Sequence, residues 1–110
     1  MTTPVIVRIF DIVGGPLCVS ADDGQRVHDK IVPLLRDGKK ILLSFEQVET
    51  LISLFLNAAI GQLYGEFSEE RIRELLSVDG MAEEDITLLK YVVENAKKYF
   101  SAPEAFDRAW

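Results

Sequence analysis

The sequence predicts a single α/β domain in which a mixed four-stranded sheet is covered by helices. Two patterns support this fold class. Short runs of apolar and β-branched residues, typical of strands, occur at residues 4–13, 17–19, 39–45 and 75–78. Apolar side chains at helical spacings of three and four occur in residues 20–36, 55–67 and 82–100. Two strands followed by strand–helix alternation favour a mixed sheet with helices packed over it.

Length and composition limit the number of domains and the kinds of partner. The chain has 110 residues, of which 48% are hydrophobic and 27% charged, enough for one packed core without disulfides. We therefore predict one domain over residues 1–100 and a C-terminal tail over residues 101–110. The formal net charge of −6 repels phosphate backbones, so nucleic acid is not an expected partner.

The strand runs differ in how they are expected to pair. Side chains of residues 4–13 alternate between the two faces of a strand, and one of these faces is wholly apolar. Gly14-Gly15-Pro16 then predicts a turn before the short apolar run at residues 17–19. This pattern predicts a β-hairpin. The continuous apolar run at residues 39–45 suits a central strand, and Asp79-Gly80 ends the fourth strand.

The helix boundaries carry local signals. Ser20 and Ser68 are each followed within three residues by a pair of acidic residues, a pattern typical of helix N-termini with a serine N-cap. Gly38 follows the end of the first long helix. Pro33 lies inside that helix and predicts a kink or an early end. In the tail, Phe106 and Trp110 either belong to a disordered segment or fold back onto an apolar groove.

Residues for common catalytic and metal sites are scarce. His28 and Cys18 are the only histidine and cysteine, too few for the usual zinc sites. We expect His28 to be a solvated or half-buried helix residue and Cys18 a small buried thiol. No nucleophile-elbow motif and no glycine-rich nucleotide fingerprint is present. We interpret Glu46 and Glu49 as solvated loop residues rather than a catalytic pair of carboxylates. Taken together, these observations predict that the protein is not an enzyme and has no catalytic residue, metal or cofactor.

Targeting signals are also missing from the sequence. No apolar stretch approaches the roughly 18 residues that a membrane-spanning helix needs. The first residues, Met-Thr-Thr-Pro, lack the basic and apolar regions of a secretory signal. These features predict a cytoplasmic protein with no membrane partner.

One segment carries a family resemblance. Residues 41–67, ILLSFEQVETLISLFLNAAIGQLYGEF, resemble the STAS-like family, small relatives of the sulfate-transporter and anti-sigma-factor-antagonist domain. The family pattern of a buried strand, a phenylalanine, a loop and a helix start is matched at Phe45, Val48, Ser53, Phe55, Leu56 and Asn57. Residues 75–99 are also similar to that family. The chain departs from the pattern at Ser44, Ile52 and Leu54, where the family has an acid or hydroxyl residues.

The resemblance implies a non-catalytic regulatory or protein-interaction module that binds a protein such as an anti-sigma-type kinase or ATPase. In anti-sigma-factor antagonists a hydroxyl residue at this helix start accepts a phosphoryl group, which leaves Ser53 as the candidate phosphoacceptor here. The implied partner surface is the loop and helix start after the third strand. Its candidate residues are Glu46, Gln47, Glu49, Thr50, Leu51, Ile52, Leu54 and Asn57.

Two alternatives remain open from the sequence. A small-ligand or nucleotide sensor of the same fold would bind near the same helix start. A homodimer would use the hairpin edge or an uncovered face of the sheet, since residues 5–10 are apolar on both sides.

Overall fold

Residues 3–101, which the computed structural model of the protein describes, form five strands, five α-helices and one 3-10 helix. The strands are β1 (Val5–Arg8), β2 (Leu17–Cys18), β3 (Ile41–Ser44), β4 (Thr50–Leu51) and β5 (Leu76–Asp79). The α-helices are α1 (Ile9–Val13), α2 (Ala21–Arg36), α3 (Ser53–Ala59), α4 (Glu69–Leu75) and α5 (Glu83–Ser101). The 3-10 helix, Gly61–Gly65, lies between α3 and α4.

The main sheet contains β1, β3 and β5, all parallel, with β3 in the centre. The strand order advances in one direction, so right-handed connections place the helices of both crossovers on the same face. Val7, Ile41 and Leu43 point to that face and are buried. Ile6 points to the opposite face and is 58% exposed. The core therefore lies on one side of the sheet.

The predicted hairpin is wrong. β1 pairs with β3, and residues 9–13, expected to continue the first strand, form α1 instead. Gly14 ends α1 in the left-handed region at φ 86°, where glycine carries no steric penalty. The apolar residues of this segment reflect packing of α1 against α2 and the core, which the sequence pattern does not distinguish from a strand.

The sheet is also divided differently from the prediction. The α/β class is confirmed, but in residues 3–101 a three-stranded parallel sheet and a separate pair of strands replace one mixed four-stranded sheet. β2 pairs with β4 in parallel, and we call these two strands the ribbon. The prediction of a central third strand is confirmed.

Each ribbon strand leads directly into a helix. After β2, Ser20 caps α2 by accepting a hydrogen bond from the Asp23 backbone N–H at 3.1 Å, as predicted. After β4, Ile52 stands at the N-cap of α3 and its side chain makes no capping hydrogen bond. The two helices that leave the ribbon pack against each other.

The α2–α3 contact is closest at Gly24. A Cβ atom at this position would lie 2.5 Å from the Phe55 carbonyl oxygen and 2.8 Å from the Ala58 Cβ. Gly24 is buried although it lies in the first turns of α2. Only a residue without a side chain allows the two helix backbones to approach this closely.

Other helix predictions have mixed outcomes. α2 continues through Pro33 to Arg36, because Pro33 lies in the last turn and interrupts the hydrogen-bond ladder only near its end. The single helix predicted over residues 55–67 is divided at Ile60 (φ −120°, ψ −43°), after which the chain tightens into the 3-10 helix. Ser68 caps α4 as predicted, accepting from the Arg71 N–H at 3.2 Å. The tail prediction concerning Phe106 and Trp110 lies outside the described residues.

Replacing Gly24 by alanine tests the α2–α3 contact. In an ordinary helix interior, Gly→Ala stabilises by roughly 0.5–1 kcal/mol. Here overpacking against Phe55 and Ala58 should dominate, with a net loss of about 1–3 kcal/mol in the free energy of unfolding. Gly61→Ala is the matched control, because its Cβ would lie 3.4 Å from the Asn57 Oδ1, an ordinary contact. Chemical denaturation in which Gly24→Ala is as stable as Gly61→Ala would contradict this packing.

Candidate interaction surface

The register of the ribbon determines which residues of its two strands are neighbours. Leu17 pairs with Thr50, and Cys18 pairs with Leu51. The Ile52 N–H then donates to the Cys18 carbonyl at 3.2 Å, which carries the parallel pairing one residue further. Val19 and Ile52 are therefore neighbours at the end of the ribbon.

The two faces of the ribbon differ in burial. Cys18 and Leu51 point inward, with 0% and 9% of their surface exposed. Because side chains alternate along a strand, the residues on either side of them point outward. Leu17, Val19 and Ile52 are 55%, 43% and 36% exposed.

The start of α3, which follows β4 directly, adds a further exposed apolar residue next to the ribbon. Leu54, in the first turn of α3, is 53% exposed, while Phe55 and Leu56 beside it are fully buried and fix the helix in place. Leu17, Val19, Ile52 and Leu54 together are called the apolar patch. Exposed apolar residues that cluster in this way are typical of interaction sites.

Ser53 lies between two residues of the apolar patch. It is the first residue of α3 and is exposed. Its position at the helix start agrees with the sequence prediction. Its role as a phosphoacceptor stays a prediction.

The loop before β4 is attached to the turn before β2. The N–H groups of Glu49 and Thr50 both donate to the Pro16 carbonyl, at 2.9 and 3.2 Å. Gln47 turns the loop at φ 69°, the one positive φ of a non-glycine residue among residues 3–101. Glu46 is exposed, as are Gln47, Glu49 and Thr50.

Two of the predicted surface residues lie elsewhere. Leu51 belongs to the buried face of the ribbon, so it supports the apolar patch from below and does not contribute to it. Asn57 is exposed and lines a groove of about 280 Å³ between the 3-10 helix and α5. The remaining lining residues of this groove are Gly61, Gln62, Asn95, Ala96, Tyr99 and Phe100.

A comparison with known families settles the resemblance. The sequence profile of the family described as STAS-like domain of unknown function (DUF4325) matches residues 23–85, which is more than half of the 110 residues. The chain belongs to this family. No curated protein and no solved structure matches it significantly.

The family match covers only part of this STAS-like domain's apolar patch. Ile52 and Leu54 lie inside the matched residues, whereas Leu17 and Val19 lie before them. Sequence reasoning missed these two residues because the hairpin prediction paired them with β1. A signal was present, since Leu17-Cys18-Val19 alternates large, small and large apolar residues before the polar start of α2.

His28 differs from its prediction as a solvated or half-buried residue. It is 6% exposed, and its Nε2 lies 2.8 Å from the Glu66 Oε1. Its Nδ1 lies 3.2 Å from Asp29 Oδ1 and 3.1 Å from the Gln25 amide nitrogen. Hydrogen bonds from Gln25 and His28 lower the pKa of the Asp29 carboxyl. These contacts connect α2 to the segment after the 3-10 helix.

Two further structural observations bear on the kind of site. Among residues 3–101, no group of three or more potential metal-ligating side chains comes together. In the same part of the chain, each helix is either too short or too polar to cross a bilayer.

Cys18 provides a chemical test of the ribbon. Burial, with a smaller effect of the Asp23 charge, raises the pKa of the Cys18 thiol from 9.0 to about 11. At pH 8 this pKa lowers the thiolate fraction by about two orders of magnitude, and only the thiolate reacts. We expect iodoacetamide to label the folded protein at least about 100-fold more slowly than the protein in guanidinium.

An exposed cysteine supplies the control for this measurement. Ser53→Cys should give one fast-reacting and one slow-reacting thiol in the same folded chain. Equal labelling of folded and unfolded protein would mean that Cys18 is not on the buried face of the ribbon.

The raised pKa of Cys18 also makes the free energy of unfolding depend on pH. Above pH 9.0 the unfolded thiol ionises first, so the contribution of Cys18 to stability falls as the pH rises toward 11.

Proposed function

We propose that this STAS-like domain is a non-catalytic regulatory module that binds a protein partner through the apolar patch. The observation that carries the proposal is the exposure of four large apolar side chains on the ribbon and at the adjoining start of α3. Two of them, Ile52 and Leu54, lie at the helix start that the family resemblance implicates, and Leu17 and Val19 lie beside it, on the paired strand and directly after it. A partner of the anti-sigma kinase or ATPase type is the one that this resemblance implies.

The energetics of burial favour a patch of this composition. Burying one Leu, Ile or Val side chain stabilises a complex by roughly 1.5–3 kcal/mol relative to leaving it in water. Association itself costs an estimated 4 kcal/mol or more, so several such residues must be buried together. A standard interface of about 800 Å² per partner would extend from the patch onto residues 46–49.

A small-ligand sensor is the second candidate, and the groove beside Asn57 favours it. Its volume of about 280 Å³ is slightly below the roughly 300–1,000 Å³ common among ligand pockets. Asn57, Gln62 and Asn95 supply polar groups, and the rest of the lining is largely apolar. This site does not use the apolar patch, so the two candidates respond to different substitutions.

Site-specific photo-crosslinking tests the protein-binding proposal. With benzoylphenylalanine in place of Leu54, we expect a discrete crosslinked adduct in the source cells, because this side chain lies in the patch. The adduct should be lost when Ile52→Asn is added. Tyr91 on α5 is the control position, since it is 65% exposed and lies outside the patch. The same adducts from positions 54 and 91, or none from either, would contradict the proposal.

A second prediction concerns Ser53 as an acceptor of negative charge. An aspartate at the first position of α3 interacts favourably with the helix dipole, so Ser53→Asp should change the free energy of unfolding by no more than about 1 kcal/mol. Ser53→Ala is the neutral control, and chemical denaturation measures both. A loss well above 1 kcal/mol with aspartate alone would show that this helix start does not tolerate a phosphoryl group.

A further inference from the structure

We propose that the partner contacts the apolar patch with a positively charged amphipathic helix, in which an apolar stripe is bordered by Lys or Arg residues. The inference rests on the proposed function and specifies the chemistry of the partner. It follows from the distribution of charge around the ribbon and from the size of the patch.

Basic residues are missing from both segments that build the ribbon. Residues 9–25, which contain β2, and residues 41–70, which contain β4, include no Lys or Arg. The same two segments place the acidic residues Asp22, Asp23, Glu46 and Glu49 within five positions of the ribbon strands. The charge near the ribbon is therefore one-sided.

Acidic residues occur at both ends of the ribbon. Glu46 and Glu49 precede β4, and Asp22 and Asp23 follow β2 in the first turn of α2. Their effect reaches the strands themselves, since the charge of Asp23 contributes to the raised pKa of Cys18. A ligand that lies along the ribbon meets negative charge at each end.

Of these four acids, only Asp23 is paired with one of the nearest cations in sequence. Arg8 forms an ion pair with Asp11 at 3.4 Å, and Arg26 forms one with Asp23 at 3.2 Å. Among residues 3–101, no Lys or Arg forms an ion pair with Asp22, Glu46 or Glu49. Partner cations at these positions would gain attractive interactions without displacing an existing pair, and the complementary charge would also accelerate association.

The dimensions of the patch suit one face of a helix. Neighbouring strands lie about 4.8 Å apart, and alternate residues along one strand lie about 6.6 Å apart. Side chains three and four residues apart on a helix are separated by about 5–6 Å. An apolar stripe of a helix can therefore cover Leu17, Val19 and Ile52, with Leu54 at its border. Nucleic acids and anionic membranes are disfavoured by the same acidic residues.

Two synthetic peptides serve as probes. Both are 18-residue helices with the same leucine stripe, but one has Lys and Arg beside the stripe and the other has Glu. By fluorescence anisotropy at low salt, the basic peptide should bind at least tenfold more tightly than the acidic one. This difference should shrink in 0.5 M NaCl, because salt screens exposed charges.

Matched variants separate the roles of charge and of apolar contact. Glu46→Gln with Glu49→Gln should weaken binding of the basic peptide severalfold. Glu70→Gln with Glu74→Gln makes the same charge change on α4, which leads into the amino-terminal end of β5, and should have little effect. Leu54→Asn should weaken binding at least tenfold, whereas Tyr91→Asn should not.

Other outcomes of these binding measurements would contradict either the preference for a basic partner or the whole proposal. If both peptides bind equally and Leu54→Asn abolishes both, the apolar patch binds as proposed but the preference for a basic partner is wrong. If the basic peptide does not bind, or binds independently of Leu54, the amphipathic-helix proposal fails. The crosslink from position 54 then decides separately whether the patch contacts a protein of another kind.

Discussion

The close approach of α2 and α3 at Gly24 is the contact on which the apolar patch depends. β2 continues into α2 and β4 continues into α3, so the separation of the two helices sets the separation of the two strands. The Phe55 carbonyl and the Ala58 side chain occupy the space that a side chain at position 24 would need. A ribbon of only two paired residues per strand is too short to hold itself together, and the helix pair supplies the missing constraint.

The topology of the main sheet determines where this surface lies. Because β1, β3 and β5 follow one another in a single direction, the helices cover one face and both crossovers leave the sheet at its carboxyl end. The ribbon is built from the segments that follow β1 and β3, at that same end. In open α/β sheets this is the usual location of binding sites, since the loops there converge while the strands stay fixed.

Sequence reasoning succeeded where a signal is local. The caps at Ser20 and Ser68 were predicted because a hydroxyl before a helix start satisfies nearby backbone N–H groups. The central position of β3 was predicted because a strand buried in a parallel sheet is continuously apolar. The resemblance of residues 41–67 to the STAS-like family is confirmed, because the family profile matches residues 23–85.

Failures of prediction arose where the outcome depends on distant residues. Pairing of Leu17 with Thr50 joins segments more than thirty positions apart, and nothing in either segment specifies its partner. Apolar β-branched residues at positions 9–13 support a strand or a short buried helix equally well, and packing against α2 decides in favour of the helix. The same error hid Leu17 and Val19, because a hairpin would have assigned their outward face to a different sheet.

Negative charge near the ribbon also bears on whether two copies of the domain can associate through the exposed apolar patch. Two copies that met patch to patch would bring Asp22, Glu46 and Glu49 of each against the same acids of the other. Repulsion between like charges opposes that encounter and leaves the patch available for a partner with cations in these positions. A homodimer would meet less opposition at the uncovered face of the main sheet, where Ile6 is exposed and the neighbouring Arg8 is basic. The acidic residues thus favour one class of partner and disfavour the protein's own copies at the same surface.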